Sequence, residues 1–235
     1  MIPKRIHIVW NHKDVVNSTA PMIVHGLKNL IDLNPDWQLT VYNPDDVNAY
    51  LRDSLLGEEY DLIASRNHVS KTDLWRMIKM YNEGGLYMDI DRLVNIPLSD
   101  IIDDSTSWVC PTHDEYDFSN DFLLSKPGNP VFARTADMYM RYVRHGCDDQ
   151  YLLGPQIYTH ACSLEICGEI IDINPGLGKF EMMRNIMAKW SWIRTYREVR
   201  HNDMIIYRGP LGDELETMKR SFYAQEGVRH WTGEW

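Results

Sequence analysis

The chain has 235 residues, 44% hydrophobic and 25% charged, which fits one large domain or a domain with a small appendage, with a well-buried core and no need of a disulfide or metal staple. A net charge of −10, with no basic stretch, excludes broad nucleic-acid binding. A phosphate ligand on such a protein must be neutralised locally, by a cation or a few placed basic residues. No apolar span of about 20 residues occurs and MIPKRIHIVW enters a strand at once, so a soluble cytoplasmic chain without a membrane span is expected. Cys110, Cys147, Cys162 and Cys167 make no C-x-x-C pair and no zinc spacing, and read as reduced thiols.

Residues 5–10 (RIHIVW) form a β-branched first strand, and the polar stretch 11–21 is loop. Over 22–33, Ile23, Leu27, Leu30 and Ile31 fall at helical spacing until Asn34-Pro35-Asp36 breaks the pattern. Residues 37–42 (WQLTVY) are a second strand, and Pro44 starts a helix through Val47, Tyr50 and Leu51. The clearest helix is 69–82, with Ser70 as N-cap, Asp73 three residues later, and an apolar stripe of Leu74, Met77, Ile78 and Tyr81. Gly84 and Gly85 end it. Residues 86–91 (LYMDID) then alternate as a strand. Further strands are expected at 108–110, 121–125 and 170–173, and helices at 130–142 and 155–162, with a Pro/Gly loop at 174–179. The basic, aromatic stretch 180–200 fits no single element. Strands alternate with helices through the first half, so the class is α/β.

Side chains two apart on a strand share a side, so Tyr87, Asp89 and Asp91 face one way and Leu86, Met88 and Ile90 the other. Carboxylates about 6 to 7 Å apart repel by roughly 2 to 3 kcal/mol at an effective dielectric of 20. Arg92 points away if the strand continues, which leaves a bound Mg²⁺ or Mn²⁺ to offset that repulsion; both ions take carboxylate and phosphate oxygens together. A bare D-x-D is common by chance and assigns nothing alone. The preceding helix adds Asp73 and Arg76 at i, i+3, a spacing that usually marks a surface ion pair. Here it runs through Gly-Gly straight into the carboxylates, so that Asp and Arg border the same cleft.

The run SKTDLWRMIKMYNEGGLYMDID resembles the core motif of the family 32 glycosyltransferases, which include yeast-type mannosyltransferases and capsular-polysaccharide glycosyltransferases. The glucosyltransferase domains of large clostridial toxins share its order of Asp, Arg and D-x-D. IPKRIHIVW, NPDWQLTVYNPDDV, NDFLLSKPGNPVF, GPQIYTHA and RHWTGEW are similar to further family blocks. The resemblance implies a GT-A-type fold, a Rossmann-like mixed α/β sheet flanked by helices, as a single domain over 1–235. It implies a metal-dependent, retaining glycosyltransferase of polysaccharide biosynthesis that moves a hexose from a nucleotide-sugar to a glycan or glycoconjugate. A UDP-sugar is the first expectation for the donor and GDP-mannose the second.

Residue by residue, the resemblance makes Asp89, Asp91 and His230 ligands of Mn²⁺ or Mg²⁺, with Asp89 also reaching the ribose. Asp73 and Arg76 would hold the donor sugar, Val9 and Trp10 would border the base, and Trp235 would close over the diphosphate. Glu234 departs from the family's usual Ser. Asp121 and Asn120 are the candidates for the sugar's reacting face, with Gln156 behind them. The acceptor is expected around 154–160 and near Lys189, Trp190, Trp192 and Arg194. Two alternatives stay open. A haloacid-dehalogenase-type phosphatase would use Asp89 as nucleophile, although that fold normally begins with the motif. A non-catalytic carbohydrate-binding protein would have lost the intact Asp and Arg set.

Overall fold

A computed structural model describes residues 1–94, 96–104, 106–109, 112–113, 117–167, 192–194, 198–201, 204–208 and 213–229. The strands are β1 (Arg5–Val9), β2 (Gln38–Tyr42), β3 (Gly85–Met88), β4 (Trp108–Val109), β5 (Thr112–His113), β6 (Asp117–Phe118), β7 (Phe122–Ser125), β8 (Trp192–Arg194), β9 (Glu198–His201) and β10 (Met204–Arg208). The helices are α1 (Pro21–Ile23), α2 (Asn29–Leu33), α3 (Pro44–Ser54), α4 (Gly57–Ala64), α5 (His68–Glu83), α6 (Pro130–Arg144), α7 (Ile157–Cys167) and α8 (Asp213–Gln225). A π-helical turn, Val24–Lys28, joins α1 to α2 as one rod.

The main sheet has the order β2-β1-β3-β7-β4. β1 runs parallel to β2 and β3, while β7 returns antiparallel to β3 and carries β4 on its outer edge. This is the mixed α/β sheet flanked by helices that the sequence led us to expect. Among the described residues a second sheet follows the order β10-β9-β8-β5-β6. The expected strand at 170–173 and loop at 174–179 lie outside the described residues. Of the stretch 180–200, β8 and the first residues of β9 are described.

Period-two alternation sorts the main sheet's two faces. Ile6, Ile8, Leu86, Met88, Phe122 and Leu124 pack with α1, α2 and α8 through Met22, Leu27, Leu30 and Phe222. Tyr87 and Leu123 face the other way, into a core built by Leu51, Trp75, Met77, Phe132 and Tyr158. His7 also lies on that second side. Its Nε2 donates to the Gly84 carbonyl at 3.1 Å, which leaves Nδ1 to accept from the Tyr42 hydroxyl at 3.2 Å. Burial pushes its pKa down to about 4, so the ring is neutral.

Four expectations need correction. The N-cap of α5 is Asn67, whose side chain accepts from Ser70 N at 2.8 Å; Ser70 sits inside the helix, its hydroxyl 2.6 Å from that of Tyr139. The buried stripe is Leu74, Trp75, Met77 and Met80, and Tyr81 is exposed, because α5 is covered on more than one side. α4 was not expected; it starts after Leu56 without a side-chain cap. Finally, β3 stops at Met88. Asp89 N still donates to Asp121 O at 2.8 Å, and the chain then turns, with Arg92 N bonding Asp89 O at 3.1 Å. The strict strand alternation of Asp89 and Asp91 does not hold.

Candidate active site

The site forms at the carboxyl end of β3, and the junction at the other end of that strand turns α5 back alongside it. Gly84 and Gly85 have φ of 63° and 93°, in the left-handed region. A Cβ on Gly84 would meet Pro127 N at 2.6 Å, and one on Gly85 would meet Arg5 O at 2.6 Å. Only glycines let the chain reverse so tightly against β1, and the reversal sets one face of α5 beside the residues that follow β3.

Arg76 occupies the centre. Its Nη2 lies 3.1 Å from Asp73 Oδ1, and its Nη1 lies 3.3 Å from Asp89 Oδ1 and donates to the Asn120 carbonyl at 2.7 Å. The side chain is 6% exposed, so this is a buried hub and not the surface ion pair its spacing suggested. Asn120 Nδ2 donates to Asp73 Oδ1 at 3.2 Å, and the Tyr87 hydroxyl donates to Asp89 Oδ1 at 2.5 Å. Burial raises the Asp73 pKa to about 6 in spite of Arg76. Burial raises Asp89 as well; Arg76 opposes the rise and Asp91 adds to it. Burial works against the charge on Arg76, but Asp89, Tyr87 and Asp73 hold its pKa above the ordinary arginine value.

Arg92 does not point away. The turn after Met88 swings it into the same cleft, where its Nη2 pairs with Asp121 Oδ2. Its Nε and Nη1, and the Nε of Arg76, are buried without a hydrogen-bond partner. Such N–H groups are costly to bury unless a ligand supplies the acceptor. Asp91 is met from α8, with Lys219 Nζ 3.0 Å from its Oδ2.

These groups line a cleft of about 580 Å³. Val9, Trp10, Asp73, Arg76, Asp89, Asp91, Asn120 and Asp121 all border it, beyond the carboxyl ends of β1 and β3 where open sheets take ligands. Trp10 is held by α8. Its ring stacks on Phe222 at 4.9 Å and meets Tyr223 edge-on at 5.5 Å, and its Nε1 donates to Glu226. His230, Glu234 and Trp235 lie outside the described residues, as do Lys189 and Trp190. Trp192 and Arg194 fall in β8. Gln150 and Pro155 line the cleft where Gln156 does not, and Ile157, Tyr158 and Thr159 are turned into the core.

Asp89 and Asp91 are the oxygen donors a hard divalent ion takes, and the buried unpartnered arginine N–H groups suit the anion such an ion brings. The residues therefore fit a cation–diphosphate pair. Among the described residues no set of three His, Cys, Asp or Glu side chains is arranged to hold an ion; His230, the third ligand that the resemblance implies, lies outside them.

Sequence reasoning missed Arg92 as a cleft residue, and with it Tyr223, Glu216 and Lys219 of α8. A signal for Lys219 existed. It is four residues after Leu215 and three before Phe222, on the apolar face of its helix.

Residues 22–108 match the family described as "Glycosyltransferase sugar-binding region containing DXD motif". Over this span the chain is similar to a DXD-type glycosyltransferase sugar-binding region. The matched span runs from α1 through α5 and the Asp89–Asp91 turn to β4, and the expected resemblance to the family 32 glycosyltransferases is borne out. Two similar proteins are the inositol phosphoceramide mannosyltransferases 1 and 3 of Schizosaccharomyces pombe. They are 21% and 24% identical over 55% and 60% of this chain. The chain spans only about two fifths of their length, 40% and 38%. Among solved structures, the PaToxG glycosyltransferase superposes with a TM-score of 0.53 at 18% identity, over 78% of this chain and 76% of that one. That likeness supports the GT-A-type fold. The expected class, a glycosyltransferase, is borne out at the level of this region, and none of these likenesses points to a phosphatase or a non-catalytic binding protein. Among the described residues no helix is long and apolar enough to cross a membrane.

Proposed function

We propose that residues 1–235 act as one metal-dependent, retaining glycosyltransferase domain, moving a hexose from a nucleoside-diphosphate sugar to a glycan or glycoconjugate acceptor. The observation that carries this reading is Arg76 bridging Asp73 and Asp89 inside the cleft that also holds Asp91. Asp73 is then the acceptor for sugar hydroxyls, and Arg76 orients both the sugar and the first carboxylate of the pair. The sequence favoured a UDP-sugar. The mannosyltransferase names of the two yeast relatives bring mannose forward as the hexose, and GDP-mannose with it.

Cleaving the sugar–phosphate bond leaves negative charge on the diphosphate and develops positive charge at the anomeric carbon. A Mn²⁺ or Mg²⁺ ion at Asp89 and Asp91 would neutralise the former when bound. The guanidinium charges of Arg76 and Arg92, two residues that line the cleft, stabilise the same charge. Asp121, held by Arg92, and Asn120, held by Asp73, are assigned to the reacting face of the sugar. Val9 and the buried ring of Trp10 form the wall for the base, and His230 and Trp235 are assigned to the cation and the diphosphate.

The test is a thermal-shift panel of UDP, GDP and their hexose conjugates, with and without Mn²⁺. A ligand at 100 times its dissociation constant adds about 2.7 kcal/mol of stability. The expected result is a shift that requires both the nucleotide and Mn²⁺ and is lost in Asp91→Ala. An unaltered shift in that variant would put the ion elsewhere.

A further inference from the structure

The second carboxylate of the pair already faces a positive charge. Lys219 Nζ lies 3.0 Å from Asp91 Oδ2, and both side chains are 8% exposed. Lys219 is carried by α8, whose Leu215 and Phe222 are anchored in the core and whose Phe222 and Tyr223, with Glu226 just past its end, hold Trp10. One helix therefore supports the wall assigned to the base and sets an ammonium on the carboxylate assigned to the cation.

The charges explain why it is there. Asp73, Asp89, Asp91 and Asp121 border the cleft together, and Arg76, Arg92 and Lys219 meet them directly. Without a ligand, three bases offset three of the four acids and leave one net negative charge; Glu216 and Arg229, which also line the cleft, cancel each other. A divalent ion arriving alone must compete with the Lys219 ammonium for Asp91 and leaves the cluster with excess positive charge. When it arrives with a diphosphate, the added phosphate charge restores the balance, and the ammonium gains a phosphate oxygen in place of the carboxylate.

We propose that Lys219 is a positioning residue that moves between two anions. It holds Asp91 in the ligand-free protein and turns to the diphosphate when cation and donor are bound, which makes their binding strongly cooperative. The proposal rests on the cation site proposed above and adds a role for α8 that the D-x-D pair does not contain.

The experiment measures Mn²⁺ binding by titration calorimetry and by the electron-spin signal of free Mn²⁺, for wild type, Lys219→Met and Lys219→Arg. Each is titrated without nucleotide and then with saturating UDP or GDP. Removing a like charge a few ångströms from the ion should tighten Mn²⁺ binding without nucleotide about tenfold in Lys219→Met. Losing a charged donor to phosphate should weaken nucleotide binding in the presence of Mn²⁺ by about tenfold. Lys219→Arg should stay near wild type in both. The opposite signs separate this role from a structural one, since a variant that merely loosens the site would lose affinity in both titrations. Loss in both, or no change in Mn²⁺ affinity, overturns the Lys219 proposal while leaving the cation site intact. Wild type that binds no Mn²⁺ even with nucleotide would instead remove the cation site, and the Lys219 proposal with it. Thermal melting of each variant checks folding, with Lys219→Gln as the substitute if Met does not fold.

Discussion

The guanidinium of Arg76 lies 4.6 Å from the centroid of the Tyr87 ring, and the hydroxyl of that same ring donates to Asp89. One aromatic side chain on β3 thus supports the cation from its face and the carboxylate from its edge. The arrangement is well buried, so removing its charged centre costs more than the contacts it makes. Arg76→Met strands Asp73 and Asp89 together, and the expected loss is about 3 to 5 kcal/mol, read from urea midpoints at constant slope. Arg76→Lys keeps the charge but not the fork, and should fall between the two. Adding Asp73→Asn to Arg76→Met removes one of the stranded carboxylates and should recover part of the loss. Strict additivity of the two changes would show that they do not share a network.

His7 gives the protein a pH dependence of known sign. Its ring is neutral in the fold, with a pKa of about 4 because of burial, against about 6.5 when unfolded. Below that unfolded value the unfolded chain takes up a proton that the fold refuses, so this contribution is complete above pH 6.5 and is lost as the pH falls through 4. The full window corresponds to roughly 3 kcal/mol. Asp73 acts in the opposite sense. Raised to about 6, it adds stability below its unfolded value that disappears as the pH rises through 6. Comparing wild type with His7→Gln cancels Asp73, which both share. The advantage of wild type at pH 7.5 should shrink by about 3 kcal/mol on approach to pH 4, seen in denaturant midpoints across that range. An advantage that stays constant with pH would mean His7 does not titrate in this window.

Much of this fold could be read from local pattern, because local chemistry and tertiary structure agree there. Pro44 after Asn43 starts α3, and the structure completes the signal with a capping box between Asn43 and Asp46. Gly84 and Gly85 stand where only glycine fits. Local reading failed where distant residues decide. Asn67 and Ser70 are both good caps, and Ser70 is drawn inside by the hydroxyl of Tyr139, far along the chain. Asp73 and Arg76 look like surface charges until Asn120 arrives to satisfy them both. The strand through Met88 ends because its partner β7 begins at Phe122, so register, not the alternation of LYMDID, sets where Asp89, Asp91 and Arg92 point.

Gly154 tests how closely the site is built. A Cβ there would lie 3.0 Å from Asp73 Oδ2, 3.2 Å from its Cγ and 3.3 Å from Asn120 Nδ2. Asp73 has little room to retreat, because its other oxygen is held by Arg76 and Asn120. Gly154→Ala should therefore displace the carboxylate assigned to the donor sugar by a few tenths of an ångström, at an overpacking cost of about 1 to 3 kcal/mol. Gly57→Ala is the control, since a Cβ at that position meets nothing within 4 Å. The decisive comparison is between sugar and nucleotide. Affinity for the nucleotide-sugar should drop about tenfold in Gly154→Ala, in line with a misplaced hydrogen-bonding carboxylate, while affinity for the bare nucleoside diphosphate with Mn²⁺ stays near that of wild type. Equal losses for both ligands would show that Gly154 supports the cleft as a whole and not the sugar pocket beside Asp73.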